Sequence, residues 1–128
     1  MIYEITVQVR VADLVIGQRW YSTLLNRDPD EIQHEGVLEW ELLAACWLQV
    51  IEGEPTHSAP ICLGVLDVEA ERARLMQQLD LVHFDIHQRE DVPVKWATFT
   101  DPWGNEIGLF EYINSTEKYL RIKRIVGE

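Results

Sequence analysis

Cysteine is scarce in this 128-residue chain, and so is basic charge. Only Cys46 and Cys62 are present, too few for a disulfide-stapled scaffold. Each lies in an apolar run, so both are expected as buried, reduced thiols of a cytoplasmic protein. No apolar run approaches the roughly 20 residues that span a membrane. The opening "MIYEITVQVR" has no secretory-leader pattern. Basic residues number 11 against 22 acidic ones, for a formal charge of −11. That charge is uneven: residues 1–112 hold 7 Lys/Arg against 20 Asp/Glu, a net of −13, and residues 113–128 hold 4 against 2, a net of +2. An acidic body repels nucleic-acid phosphates and anionic lipid, so neither nucleic acid nor membrane is expected as a partner. It would attract a cationic ligand, although excess acid also simply keeps proteins soluble. The remainder is an ordinary globular composition, 47% apolar and 26% charged, in a length that suits one domain.

The chain is internally duplicated. "VQVRVADL" (residues 7–14) answers "ICLGVLDV" (residues 61–68), so Asp13 and Asp67 correspond. Apolar residues alternate before each Asp, as in a strand with one buried face. The Asp then stands where a helix begins and can cap its free N–H groups. Helical stripes follow in both copies, through Leu14, Trp20, Tyr21, Leu24 and Leu25 in one and Val68, Leu75, Met76 and Leu79 in the other. Pro29 and its acidic neighbours break the first copy. Strand-like runs come next: "VLEWEL" and "AACWLQVI", then "LVHFDIH", "VKWATFT" and "EIGLFEY". The unit is a strand and a helix followed by two or three antiparallel strands, repeated, with "EGEPTHSAP" between the copies. Trp40 and Trp96 are read as equivalent strand positions, expected in the core.

His83, Asp85 and His87 invite a metal-site reading. Val82, Phe84 and Ile86 alternate with them, so the segment is expected to be a strand with a polar outer face. Its alternate residues are spaced by about 6.7 Å, leaving the two histidines about 13 Å apart at Cα. Donor atoms on one ion lie within about 3–4 Å of each other, so these two cannot share one. A solvated face is the expectation, with His83 beside Asp85 as the one feasible pair.

"FTDPWGNEIGLFEY" (residues 99–112) closely resembles the segment that closes domains of the vicinal oxygen chelate family, the glyoxalase/bleomycin-resistance/dioxygenase proteins. "VRVADLVIGQRWYSTLL" is similar to the family's opening segment, with Asn26 where a glycine is usual. The resemblance implies an α+β fold of tandem βαβββ modules, about 1–54 and 58–112, forming a curved mixed sheet around a cleft in a single domain of residues 1–112. Residues 113–128 form a C-terminal tail, expected to be helical and capped by Asn114. A homodimer is also implied. Family members that do chemistry hold a divalent metal, and its positions fall on Thr6, Gln49, Pro60 and Gly108. Such residues make a poor donor set, so no metal and no cofactor are expected.

Alternation from those positions gives an expected ligand-binding lining of Thr6, Gln8, Arg10, Trp47, Gln49, Cys62, Phe110 and Tyr112, with Trp103 in the preceding turn covering it. Arg10 is expected to meet a ligand anion or an internal acid such as Glu4 or Glu106. Cys62 is expected to be inert. Three functions stay open. The first is a metal-independent small-molecule binding protein of the glyoxalase/bleomycin-resistance type, sequestering a cationic aromatic compound or antibiotic. An alternative is a glyoxalase-like lyase or isomerase, or another enzyme, using cleft acids such as Glu4, Glu39, Glu41 or Glu106 without the usual metal. The third is a regulatory or interaction module.

Overall fold

The computed structural model describes residues 1, 4–33, 36–55, 60–81 and 83–126. Val82 and residues 56–59 of the expected linker lie outside them. The elements run β1 (Ile5–Val11), α1 (Leu14–Leu25), β2 (Glu31–Gln33), β3 (Val37–Leu43), β4 (Cys46–Glu52), β5 (Ile61–Gly64), α2 (Val68–Gln78), β6 (His87–Gln88), β7 (Val94–Thr100), β8 (Glu106–Tyr112) and α3 (Ser115–Val126). The βαβββ plan implied by the resemblance is therefore present twice, and the tail is a helix.

Two compact units divide the chain: residues 1–59 with Asp101–Asn105, and residues 60–100 with 106–128. In the first, the sheet order is β1-β4-β3-β2, with β1 parallel to β4 and the other pairs antiparallel. The second repeats this as β5-β8-β7-β6. A parallel pairing of first and last strands needs a crossover, which α1 and α2 begin.

Both helices start as the sequence implies. Ile16 N–H donates to Asp13 Oδ1 and Ala70 N–H to Asp67 Oδ1, each at 3.0 Å. Asn26 closes α1 in the left-handed region, φ 57°, which explains why it can stand where a glycine is usual. One side of each sheet is apolar. In the first unit Val9, Val11, Leu38, Trp40, Leu48 and Val50 are buried together with Trp20, Tyr21 and Leu24 of α1. Ala97, Phe99, Ile107 and Leu109 do the same in the second, with Val68 and Leu75 of α2.

Three expectations fail. From His83 to Gln88 the chain is not a continuous strand: there only His87 and Gln88 pair, with Trp96 and Lys95. Upstream, the Phe84 carbonyl accepts from Arg72 at 3.4 Å instead of from a neighbouring strand, while the Phe84 ring packs on Phe99 at 4.9 Å. The alternation survives without the ladder, because Phe84 is buried and His83, Asp85 and His87 are exposed. Trp40 and Trp96 are not equivalent either. Trp40 lies opposite Leu48 on the helix-facing side and is fully buried, whereas Trp96 lies opposite Phe110 on the other side and is half-buried. Cys62 is exposed and Cys46 half-buried, both as free thiols. Cys62 sits on the side of its sheet opposite Val68 and Leu75 of α2, so apolar neighbours in sequence do not bury it. Among the described residues no helix is long and apolar enough to cross a membrane.

Candidate functional site

The side of the first sheet turned away from α1 is an open face laid out in rows by strand register. One row is Thr6, Trp47 and Glu41; the next is Gln8, Gln49 and Glu39; the third is Arg10, Ile51 and Val37. Side chains two apart on a strand share a face, so Thr6, Gln8, Arg10, Trp47 and Gln49 are brought together as expected. Thr6, Gln8 and Arg10 are exposed; Trp47 and Gln49 are half-buried. Gln8 Nε2 donates to Gln49 Oε1 at 2.7 Å across the β1–β4 pair. Among the described residues Arg10 has no carboxylate partner, neither Glu4 nor Glu106. Its aliphatic stem lies against Gly53, where a Cβ would stand 3.5 Å from Arg10 Cδ.

The corresponding face of the second sheet is small and aromatic. Its rows are Glu106 and Thr100; Cys62, Gly108 and Thr98; Gly64, Phe110, Trp96 and His87; and Tyr112 with Val94. Cys62, Phe110 and Tyr112 thus share a face, as expected. A side chain at Gly64 would crowd the Phe110 ring at 3.1 Å, and one at Gly108 would meet the Cys62 sulfur at 3.2 Å. Phe110 meets Tyr112 edge-on at 5.7 Å, and the His87 ring lies 5.5 Å from Trp96.

Trp103 stands in the turn Asp101–Asn105, half-buried, and that turn belongs to the first unit. Asp101 is its hub, only 3% exposed. Its Oδ1 accepts from the Trp103 and Asn105 N–H groups, and its Oδ2 from the Tyr21 hydroxyl at 2.9 Å and Asn105 Nδ2 at 2.7 Å. Asn105 Nδ2 also donates to the Arg10 carbonyl at 2.8 Å. Gly104, at φ 87°, occupies a backbone region that other residues resist. Burial, then the neighbouring Asp101 charge, push the Tyr21 hydroxyl well above the usual tyrosine range. Tyr21 was read from the sequence only as an apolar stripe residue. Its partner lies eighty positions away, and nothing local signals it.

One acidic group also went unread. Asp67, Glu69 and Glu111 place carboxylate oxygens within 4.8 Å of one another. The chain supplies its own cations there: Lys118 Nζ lies 2.6 Å from Glu111 and Lys95 Nζ 3.2 Å from Glu69. Lys118 donates to the Leu66 carbonyl as well, which ties α3 to the second unit. Burial alone would raise the Glu111 carboxyl, but Lys118 and the Val68 N–H outweigh it and hold the group below the usual glutamate range. Arg121 lies over the Tyr112 ring, 4.3 Å from its centre.

Known structures with this arrangement are numerous. A glyoxalase/bleomycin resistance protein from Catenulispora acidiphila superposes with a TM-score of 0.72 at 25% identity, covering 86% of this chain and 98% of that one. The chain has the vicinal oxygen chelate fold. TnmS3, an antibiotic binding protein from a Streptomyces species, shares this fold with a TM-score of 0.66 at 24% identity over 88% of this chain and 97% of its own. So does the fosfomycin resistance protein FosX from Listeria monocytogenes, at 0.68 and 17% identity over 92% and 96%. No family profile matches the sequence, and no curated protein matches it closely. The vicinal oxygen chelate fold is therefore legible here through its geometry and a few turn residues, not through overall sequence likeness.

Proposed function

We propose that the protein binds a small organic ligand, of cationic aromatic character, on the open face of its first sheet and works by sequestration without the metal usual in this fold. The observation that carries this is the residue set on that face. Trp47 supplies a flat apolar surface, Glu41 and Glu39 stand beside it and beside Gln49 in register, and Gln8 and Gln49 supply amides. Stacking and cation–π contact on a tryptophan contribute about 0.5–2 kcal/mol each.

The positions that would hold a metal carry Thr6 and Gln49 in the first unit and Pro60 and Gly108 in the second. Proline and glycine have no side-chain donor, and neutral amide and hydroxyl oxygens bind divalent transition metals weakly. The donor set does not fit. An antibiotic binding protein and resistance proteins among the structures of the same fold agree with a ligand-binding role. In this reading the protein acts as a homodimer. The exposed apolar residues of α3, including Tyr119 and Ile125, and its basic Lys123 and Arg124 offer a contact for a second acidic copy.

Titration of tryptophan fluorescence with a metal-free bleomycin-type antibiotic, at low and moderate salt, tests this function. Saturable quenching that weakens with salt and is reduced in Trp47→Phe is the expected result. No saturable change at any concentration would remove antibiotic sequestration as the function.

A further inference from the structure

We infer that the Gln8–Gln49 pair recognises an amide-type edge: a lactam, carboxamide or imide whose N–H and C=O lie side by side on a flat ring system stacked against Trp47. This rests on the ligand-binding reading above and names the class of compound. A glutamine side chain carries two donor hydrogens and an acceptor oxygen. The bond from Gln8 Nε2 to Gln49 Oε1 uses one donor and engages one oxygen. Left over are the Gln8 oxygen, the second Gln8 amide hydrogen and both Gln49 amide hydrogens, on paired strands and in register. Neither side chain makes another hydrogen bond among the described residues. Turning both amides over exchanges which residue offers which group, and the pair still holds free donors and a free acceptor.

That doublet discriminates by chemistry. A carboxylate leaves the Gln8 oxygen without a donor, and an ammonium leaves the Gln49 hydrogens without an acceptor. A neutral group with a donor and an acceptor side by side satisfies both. Trp47 lies two residues before Gln49 on the same strand and the same face, about 6.7 Å along it. A bicyclic ring can therefore touch the indole while its edge meets the amides. Losing one of the two bonds leaves a polar group unmatched and weakens binding roughly tenfold.

Two compounds isolate the edge: 2-quinolinone, a lactam, and its N-methyl derivative, which keeps the ring and carbonyl but lacks the donor. The full chain, labelled with ¹⁵N, is titrated with each, following the side-chain amide signals of Gln8 and Gln49 and the Trp47 indole N–H. The expected result is saturable shifts of all three, with the lactam binding about tenfold tighter. In the double variant Gln8→Met with Gln49→Met the ratio of the two constants falls to about one. Equal binding of both compounds by the wild type would overturn the inference and leave binding at Trp47 standing. No saturable shift with either compound, up to its solubility limit, would overturn the inference together with the stacking role of Trp47.

Discussion

The two sheets share a plan and differ on one side only. On the sides that meet the helices, Trp40 answers Phe99, Leu48 answers Ile107, and Val50 answers Leu109. These are exchanges of one apolar residue for another, as close packing against a helix requires. On the open sides the same register sets Gln8 against Cys62, Arg10 against Gly64, Gln49 against Gly108, Glu39 against Thr98, and Val37 against Trp96. One face is amide, acid and guanidinium; the other is small and aromatic. Packing against α1 and α2 constrains one side of each duplicated sheet, and the other side varies more in chemical character.

The turns before the last strands sharpen the contrast. The first is two residues, 44–45, and the second five, Asp101–Asn105; the first places its last residue in the left-handed region, Ala45 at φ 61°, and the second its next-to-last, Gly104 at φ 87°. In the first turn the Glu41 side chain accepts one N–H, from Ala45, at the surface. The second is organised by the buried Asp101. Asp101→Ala is expected to have the largest effect, about 3–5 kcal/mol by chemical denaturation, because four donors lose their acceptor. Glu41→Ala should cost under about 1 kcal/mol; similar losses for the two would break the comparison.

Tyr21→Phe should cost about 1–3 kcal/mol, since a buried carboxylate loses a donor. The pH dependence has a defined sign. The unfolded phenol ionises near pH ~10, while the folded one keeps its proton to higher pH. Its stabilising contribution is complete below about pH 10 and is lost as the pH rises further. Denaturation midpoints measured across that range should fall less steeply in Tyr21→Phe than in the wild type. Asp13→Ala and Asp67→Ala should each cost about 1 kcal/mol, equally, because both caps make the same bond. Thermal melts showing a twofold disparity would mark the helices as energetically unequal. The smallest change is Ala45→Gly, expected to stabilise by about 0.5 kcal/mol. It relieves a left-handed alanine, partly offset by greater freedom in the unfolded chain. A loss of stability in equilibrium denaturation would show that this backbone is not strained.

Much of the fold was legible because its signals are local. The strand before Asp13 and the strand before Asp67 each announce themselves by alternation, and each Asp caps the helix that follows. The open face of the first sheet could be assembled by alternation from Thr6 and Gln49. What escaped reading depends on partners distant in sequence. Trp96 and Trp40 look alike in their runs, and only the pairing of Trp96 with Phe110 and of Trp40 with Leu48 places them on opposite sides. Phe84 keeps the period of a strand, but its carbonyl goes to Arg72. The Gln8–Gln49 bond joins residues whose neighbourhood is set by a parallel pairing, which no short pattern specifies. Tyr21 and Asp101 meet in the same way.

The Asp101 turn also sets an order of events during synthesis. Everything else in the first unit has been made by residue 59, yet the acceptor for Tyr21 and the donor to the Arg10 carbonyl arrive only with residues 101–105. In a growing chain the Tyr21 hydroxyl therefore lacks its final partner until most of the second copy has been made. The first half, cut out and expressed alone, would remain in that unfinished state. Duplication supplied two similar modules, and this one turn has made the earlier of them dependent on the later.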